Sequence, residues 1–574
     1  LTTNAIEIEI LRNALIAAAE EMSVTVWRTS RSSVVREILD YSTCVFDADG
    51  YSVAQAARMP VHLNSMASCL RDIIDHHIPL EQFADGDIII TNDPYSGGQH
   101  LSDLQTFMPV FHGNDRIAVV GILVHHLDVG GGAAGSFDPQ ATEIYQEGFR
   151  IPPVHLCKNG EKNEALISTF LRNSREPEQV GGDFSSQLAA LEIGRQRVLN
   201  IGDRYGKQLL RESCLEIQAQ SERSMRHAIE RIPDGSYQFQ DFVDDDGLSD
   251  EALCIDVELK VQADSMHIDL SKSSAQAKGP VNCTYNMTSS AVVCGIMMAI
   301  GADIPANAGC YRPIRIESKP GTCTNAISPA PVANRMAVGH RVVNATMGAM
   351  AQALPGRVAA AYYGVSYAYA ISIEGLADTP APSGDDELGD SKKADSGEND
   401  TTVDDRPHPQ RVYFDLECGG WGANHTADGA SAFSCGFHNI ANTPIEMIES
   451  DYAITFTEYG LAADTGGAGR FRGGLGLIRS FRLDAPRGNF TANLDRFRHP
   501  PYGLEGGGPG AVGQLTCERK SGELESLPSK LTRFTLTRGD VIRLQTAGGG
   551  GFGPSRERLP DAIAADIEDG YVSS

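Results

Sequence analysis

The stretch 117-IAVVGILVHHLDV-129 runs from Ile117 to Val124 without a polar side chain and then presents two adjacent histidines. A run this short, rich in β-branched residues and followed by Gly130-Gly131, reads as a strand buried on both faces. Neighbouring side chains of a strand point to opposite faces. Only one of His125 and His126 can therefore face a given site while the strand stays regular.

Upstream, 92-NDPYSGGQHLSDLQTF-107 sets His100 and Asp103 three apart, just after Gly97-Gly98. A glycine pair lets the chain bend sharply, so these two side chains are expected on one side of a turn or first helical turn. Ligands of a divalent metal must converge from separate segments to about 2 Å from the ion. A mixed histidine and carboxylate set suits Zn, Mn or Fe and fits Ca or Mg poorly. From spacing alone, histidines that are simply hydrogen-bonded near strand ends outweigh the metal reading; the buried His-His pair, which needs partners, narrows the gap.

Outward from this strand, 87-DIIITNDPY-95 reads as a second buried strand and 43-TCVFDADGYSVAQA-56 as a hairpin. Apolar residues at helical spacing, Ile8, Leu11, Leu15 and Ala18, predict a helix from about Ala5 to Trp27. Helix is expected over 65–77 and 185–232, antiparallel strands over 236–247 and 252–270, and two Ala- and Gly-rich packed helices near 285–302 and 333–354. The stretch 378–409 is acidic and nearly free of large apolar groups, as a linker would be. Beyond it, glycine clusters punctuate short strands. The fold class expected is α+β (mixed α/β) and multidomain: an N-terminal α/β domain 1–184, a middle domain 185–377, the acidic insert 378–409, and a Gly-rich, β-rich domain 410–574.

The chain has 574 residues and a formal net charge of -27, which argues against nucleic acid or an anionic membrane as partner. The N-terminal stretch lacks the basic start and unbroken apolar core of a signal peptide. Twelve cysteines without regular spacing read as reduced thiols, and a cytoplasmic location is expected. No GxxxxGK[ST] or GxSxG is present, so neither a P-loop nor a nucleophile elbow is expected. The glycines of 466-GGAGRFRGGLG-476, beside Arg470 and Arg472, could cradle a phosphate, although turns between strands are the commoner use. Asp244-Asp245-Asp246 reads as a turn, and His499, Cys418 and His425 as structural or neutral.

Nine stretches, in order along almost the whole chain, resemble one family: 36-REILDYSTCVFDADG-50, 58-RMPVHLNSM-66, 91-TNDPYSGGQHLSD-103, 125-HHLDVGG-131, 142-TEIYQEGFRIPP-153, 278-KGPVNCT-284, 306-ANAGCYRPI-314, 464-DTGGAGRFRGGLG-476 and 546-TAGGGGFG-553. The likeness is to the B-type subunit of hydantoinase/oxoprolinase enzymes. That group also holds caprolactamase and related subunits of acetone and acetophenone carboxylases. The resemblance implies a heterotetramer or larger assembly, in which an A-type subunit uses ATP and Mg to phosphorylate the substrate. The B-type subunit then completes the reaction at a metal centre, with Zn or Mn the expected ion. Carried onto this chain, it implies Asp40, His100, Asp103 and His125 as ligands and His126 as the proton-handling residue, with Asp128 or Glu143 orienting a histidine. The expected activity is ATP-dependent hydrolysis of a cyclic amide such as a hydantoin, 5-oxoproline or a lactam. Ketone carboxylation and a non-catalytic scaffold are the alternatives.

Overall fold

The computed structural model describes residues 4–62, 64–301, 303–374 and 411–573; the acidic stretch 378–409 lies outside them. The strand that ends at the histidine pair is β5, Asp115–His125. Its companions are β1 Tyr41–Asp47, β2 Ser52–Gln55, β3 Ile88–Thr91, β4 Asp103–His112, β6 Val154–Lys158 and β7 Glu161–Lys162. They form one sheet in the order β2-β1-β5-β4-β3-β6-β7, every pair antiparallel.

Both faces of this sheet are covered, which is why β5 is apolar from Ile117 to Val124. Val120, Ile122 and Val124 join a core with Leu11 and Leu15 of the N-terminal helix Ala5–Thr29 and with Leu191. Val119 and Leu123, one residue out of phase, pack with Phe46, Phe107 and Leu70 on the other face. The helix expected over 185–232 starts earlier, at Pro177, where a proline lacking N–H is harmless. It also breaks in two at Gly206, φ 84°, giving Pro177–Tyr205 and Lys207–Ile229.

A second sheet, β11-β10-β9-β8, combines β8 Gly235–Val243, β9 Leu253–Gln262, β10 Ser265–Asp269 and β11 Ile314–Glu317. The helices Tyr285–Ile300 and Met336–Ala353 follow the two apolar stretches. They approach closely: a Cβ on Gly295 would stand 2.9 Å from Cβ of Thr346. The remaining strands form two sheets: β13-β12-β16-β19 (Ala368–Glu374, Arg411–Leu416, Arg487–Asn493 and Lys530–Thr537 being β12, β13, β16 and β19) and β14-β15-β20-β17-β18 (Ile454–Ala462, Gly476–Leu483, Gln514–Glu518, Leu524–Ser526 and Val541–Gln545 being β14, β15, β17, β18 and β20). A single hydrophobic core joins the second sheet, its helices and the C-terminal strands, and takes in Leu127 and Phe137 from the segment that follows β5.

The glycine clusters are backbone packing. A Cβ on Gly549 would fall 1.8 Å from the Trp421 carbonyl oxygen. The N–H groups of Gly467, Gly473 and Gly474 donate to the carbonyls of Gly549, Gly467 and Trp421, so they are spent internally and make no phosphate cradle. Asp244 likewise accepts from the backbone of Arg498 and His499. The twelve cysteines are free thiols. Among the described residues no helix is long and apolar enough to cross a membrane.

Candidate metal centre

Three neighbouring interior strands, β1, β5 and β4, bring their ends together at one end of the first sheet. Asp40 precedes β1, His125 closes β5 and Asp103 opens β4; Asp103 and His125 are register partners, and the His125 N–H donates to the Asp40 carbonyl at 3.2 Å. Asp103 is thus the first residue of a strand rather than part of a helical turn; the sequence reading missed β4. Leu39, at φ 67°, takes a conformation that costs a non-glycine residue energy and turns the chain into Asp40. His100 comes from the loop after Gly97, whose φ of 89° and approach to the Cys69 backbone leave no room for a side chain.

His100 Nε2 lies 2.9 Å from Asp103 Oδ1. His125 Nδ1 is 3.4 Å from that same oxygen and 3.6 Å from Asp40 Oδ2. One ligand atom each from His100, Asp103 and His125 lies within 4.8 Å of the others. Yet His100 Nε2, Asp103 Oδ1, Asp40 Oδ1 and both ring nitrogens of His125 are buried without a hydrogen-bond partner. Buried polar atoms are nearly always paired. With Nδ1 as the His125 nitrogen beside the carboxylates, this close set of orphaned atoms is a donor set that a cation would satisfy.

The electrostatics agree. Burial, helped by the nearby Arg335 guanidinium, pushes the His100 imidazole down to about 3, so its ring is neutral with a lone pair free. Burial opposes the Asp103 charge, but the Arg335 guanidinium beside it outweighs this and holds the carboxyl well below its usual range. Arg335 donates to Asp103 Oδ2 at 3.0 Å, leaving Oδ1 for the cluster. Two imidazoles and two carboxylates suit Zn or Mn; the residues fit such an ion.

His62 sits beside this set. Its Nδ1 is 2.9 Å from the Ser42 hydroxyl and its Nε2 is 3.9 Å from Asp40 Oδ1. The small cleft beside these residues also meets Phe137, Asn334, Ser366, Phe414 and His438, and its volume is only about 30 Å3, enough for an ion or a water.

The structure brings Asp40, His100, Asp103 and His125 together and leaves three other expected residues out. His126 points to the opposite face of the sheet, as strand alternation requires. It is fully buried against Phe170 and Phe184, and its Nε2 lies 3.2 Å from Gln187 Oε1. Proton transfer at the cluster is therefore not open to it. Asp128 is paired with Arg175 at 2.6 Å and accepts from the Gly130 and Arg175 backbone, so it ties down a loop instead of orienting a histidine. Glu143 is exposed. Sequence reasoning passed over His62 and Arg335, although His62 stands in 58-RMPVHLNSM-66; no local spacing links either to the ligands.

The family model described as Hydantoinase B/oxoprolinase matches residues 4–555. The caprolactamase subunit beta of Pseudomonas jessenii is 30% identical, the alignment covering 100% of this chain and 94% of that protein. The crystal structure of the ATP-dependent caprolactamase from Pseudomonas jessenii superposes with a TM-score of 0.86 at 27% identity, covering 100% of this chain and 95% of that one. A nucleotide-free acetone carboxylase structure gives a TM-score of 0.84 at 17% identity over 99% of this chain and 78% of that one, a likeness of fold alone.

Proposed function

Because this chain belongs to the hydantoinase B/oxoprolinase family, we propose that it is the metal-bearing B-type subunit of an ATP-dependent cyclic amide hydrolase. Its substrate class is a hydantoin, 5-oxoproline or a lactam, activated by phosphorylation on an A-type partner subunit. The observation that carries this reading is the set of buried, unpartnered ligand atoms of Asp40, His100, Asp103 and His125.

These four residues would hold a Zn- or Mn-like ion, which when bound supplies Lewis acidity and a water of lowered pKa. The chain's own groups do the rest. Arg335 fixes Asp103 through Oδ2. Ser42 fixes the His62 ring at Nδ1, leaving Nε2 toward Asp40 and the small cleft; the proton-handling role expected of His126 passes to this atom. Phe137 and Phe414 pack on the ligand imidazoles and exclude bulk water, which strengthens every charge interaction inside. The cavity, about 30 Å3, is far below the ~300 Å3 at which small-molecule pockets begin, so a ring substrate enters only when its walls part.

The test is turnover by the assembled complex with ATP and 5-oxoproline, hydantoin or caprolactam, against acetophenone with bicarbonate. Ring opening that is lost in His100→Ala while the complex stays assembled supports the proposal. Activity only with ketone and bicarbonate moves the chain to carboxylation, and unchanged turnover in the variant leaves it a scaffold.

A further inference from the structure

We propose that His340, Cys435 and His438 form a second buried site that binds Zn2+ independently of the first cluster. His340 projects from the helix Met336–Ala353. Cys435 and His438 come from 435-CGFH-438, where the His438 N–H donates to the Cys435 carbonyl at 3.1 Å. That turn brings side chains three apart onto one side. All three residues are buried, and one ligand atom from each lies within 4.8 Å of the other two. Cys435 Sγ is 3.9 Å from His340 Nδ1, a few tenths of an ångström more than the ~3.5 Å between two ligands of a tetrahedral ion with bonds of about 2.3 and 2.0 Å.

Two further features point to an ion. The Ser366 hydroxyl touches Nε2 of both rings, at 3.1 Å from His438 and 3.4 Å from His340. Holding the outer nitrogen of an imidazole is how proteins aim its inner nitrogen at a metal. The Nδ1 of His438 is buried and has no partner. Buried polar atoms are usually paired, so this nitrogen is free for a ligand. The Tyr362 hydroxyl, 2.9 Å from His340 Nδ1, must yield that nitrogen when the ion enters.

The ligand chemistry differs from that of the first cluster. One thiol and two imidazoles, with no carboxylate among them, favour a borderline-soft ion over Mn. Burial pushes the Cys435 thiol up to about 11, so it is protonated in the metal-free protein. Ion binding exchanges that proton for the metal and releases it to solvent. His438 and Ser366 also face the small cleft beside His100 and His125. The second ion would brace the wall opposite the first cluster, locking 435-CGFH-438 to the helix that follows Arg335.

The experiment uses the full chain, stripped with a chelator and titrated with Co2+ as an optical probe for Zn2+. Only a site containing sulfur gives a thiolate-to-cobalt charge-transfer band, and the first cluster has none. We expect two equivalents bound by the unsubstituted chain, with the band. His100→Ala should keep one equivalent and the band; Cys435→Ser should keep one equivalent without it. Absence of the band in the unsubstituted chain overturns the proposal whatever the variants do. So does a band or a second equivalent that survives Cys435→Ser.

Discussion

Asp103 and His125 face each other across neighbouring strands, with Asp103 Oδ1 3.4 Å from His125 Nδ1 while Asp103 Oδ2 accepts from Arg335 at 3.0 Å. One carboxylate thereby serves two elements far apart in the chain: its outer oxygen anchors the start of the helix Met336–Ala353, and its inner oxygen joins the cluster. Asp103 and Arg335 are both buried, so each depends on the other for its charge to be tolerated.

Arg335→Met should destabilise the metal-free protein by about 3–5 kcal/mol, the cost of leaving one member of a buried ion pair unpaired. Saturating Zn2+ should recover much of this, because the cation supplies the missing positive charge beside Asp103. Urea unfolding with chelator and with Zn2+ measures both. Equal losses under the two conditions would contradict a metal at Asp103.

His126 and His62 should separate cleanly. His126→Phe leaves Gln187 short of a partner and should cost about 1–3 kcal/mol, with metal content unchanged and kcat within about twofold. His62→Ala should keep its metal and lose about 100-fold or more in kcat, as expected on removing a proton-transfer group. A large kcat loss in His126→Phe at full metal content would reverse the assignment.

Acid should weaken the metal-free protein early. Burial, with Arg335 nearby, pushes His100 and His438 down to about 3, whereas in the unfolded chain they titrate near ~6.5. Above pH ~6.5 both states are neutral and the full stability is present. As pH falls from ~6.5 toward ~3 the unfolded chain takes up protons that the folded one refuses. Stability then drops by up to ~1.4 kcal/mol per pH unit for each such histidine. His438→Gln, which cannot ionise, should flatten the slope of unfolding free energy against pH; an unchanged slope would mean the ring is charged in the fold.

Gly549→Ala should prevent stable folding, because the new methyl would sit 1.8 Å from the Trp421 carbonyl oxygen, a backbone atom that cannot swing away. Gly522 has φ 86° but open space around it, so Gly522→Ala should cost only about 1–2 kcal/mol. Soluble yield and melting temperature of the two variants test the contrast.

The apolar strands of the first sheet were legible because period-2 and unbroken apolar runs report directly which strands are buried. β5, β3, β1 and β2 followed from that signal. β4, β6 and β7 did not; the polar start of β4, 102-SDLQT-106, resembles a turn when its neighbours are unknown. Pairing with β5 makes it a strand, because the backbone bonds it offers are answered there.

Local pattern by itself determined the type of the strongly patterned elements and the rule that His125 and His126 face opposite sides, because strand alternation and turn chemistry are properties of adjacent residues. Which of the two histidines faces the cluster was decided only in three dimensions, by which side of the sheet the helix Pro177–Tyr205 covers. The same holds for His62, Arg335 and the grouping of His340 with 435-CGFH-438. Their proximity is created by burial of one continuous core, and no spacing along the chain records it.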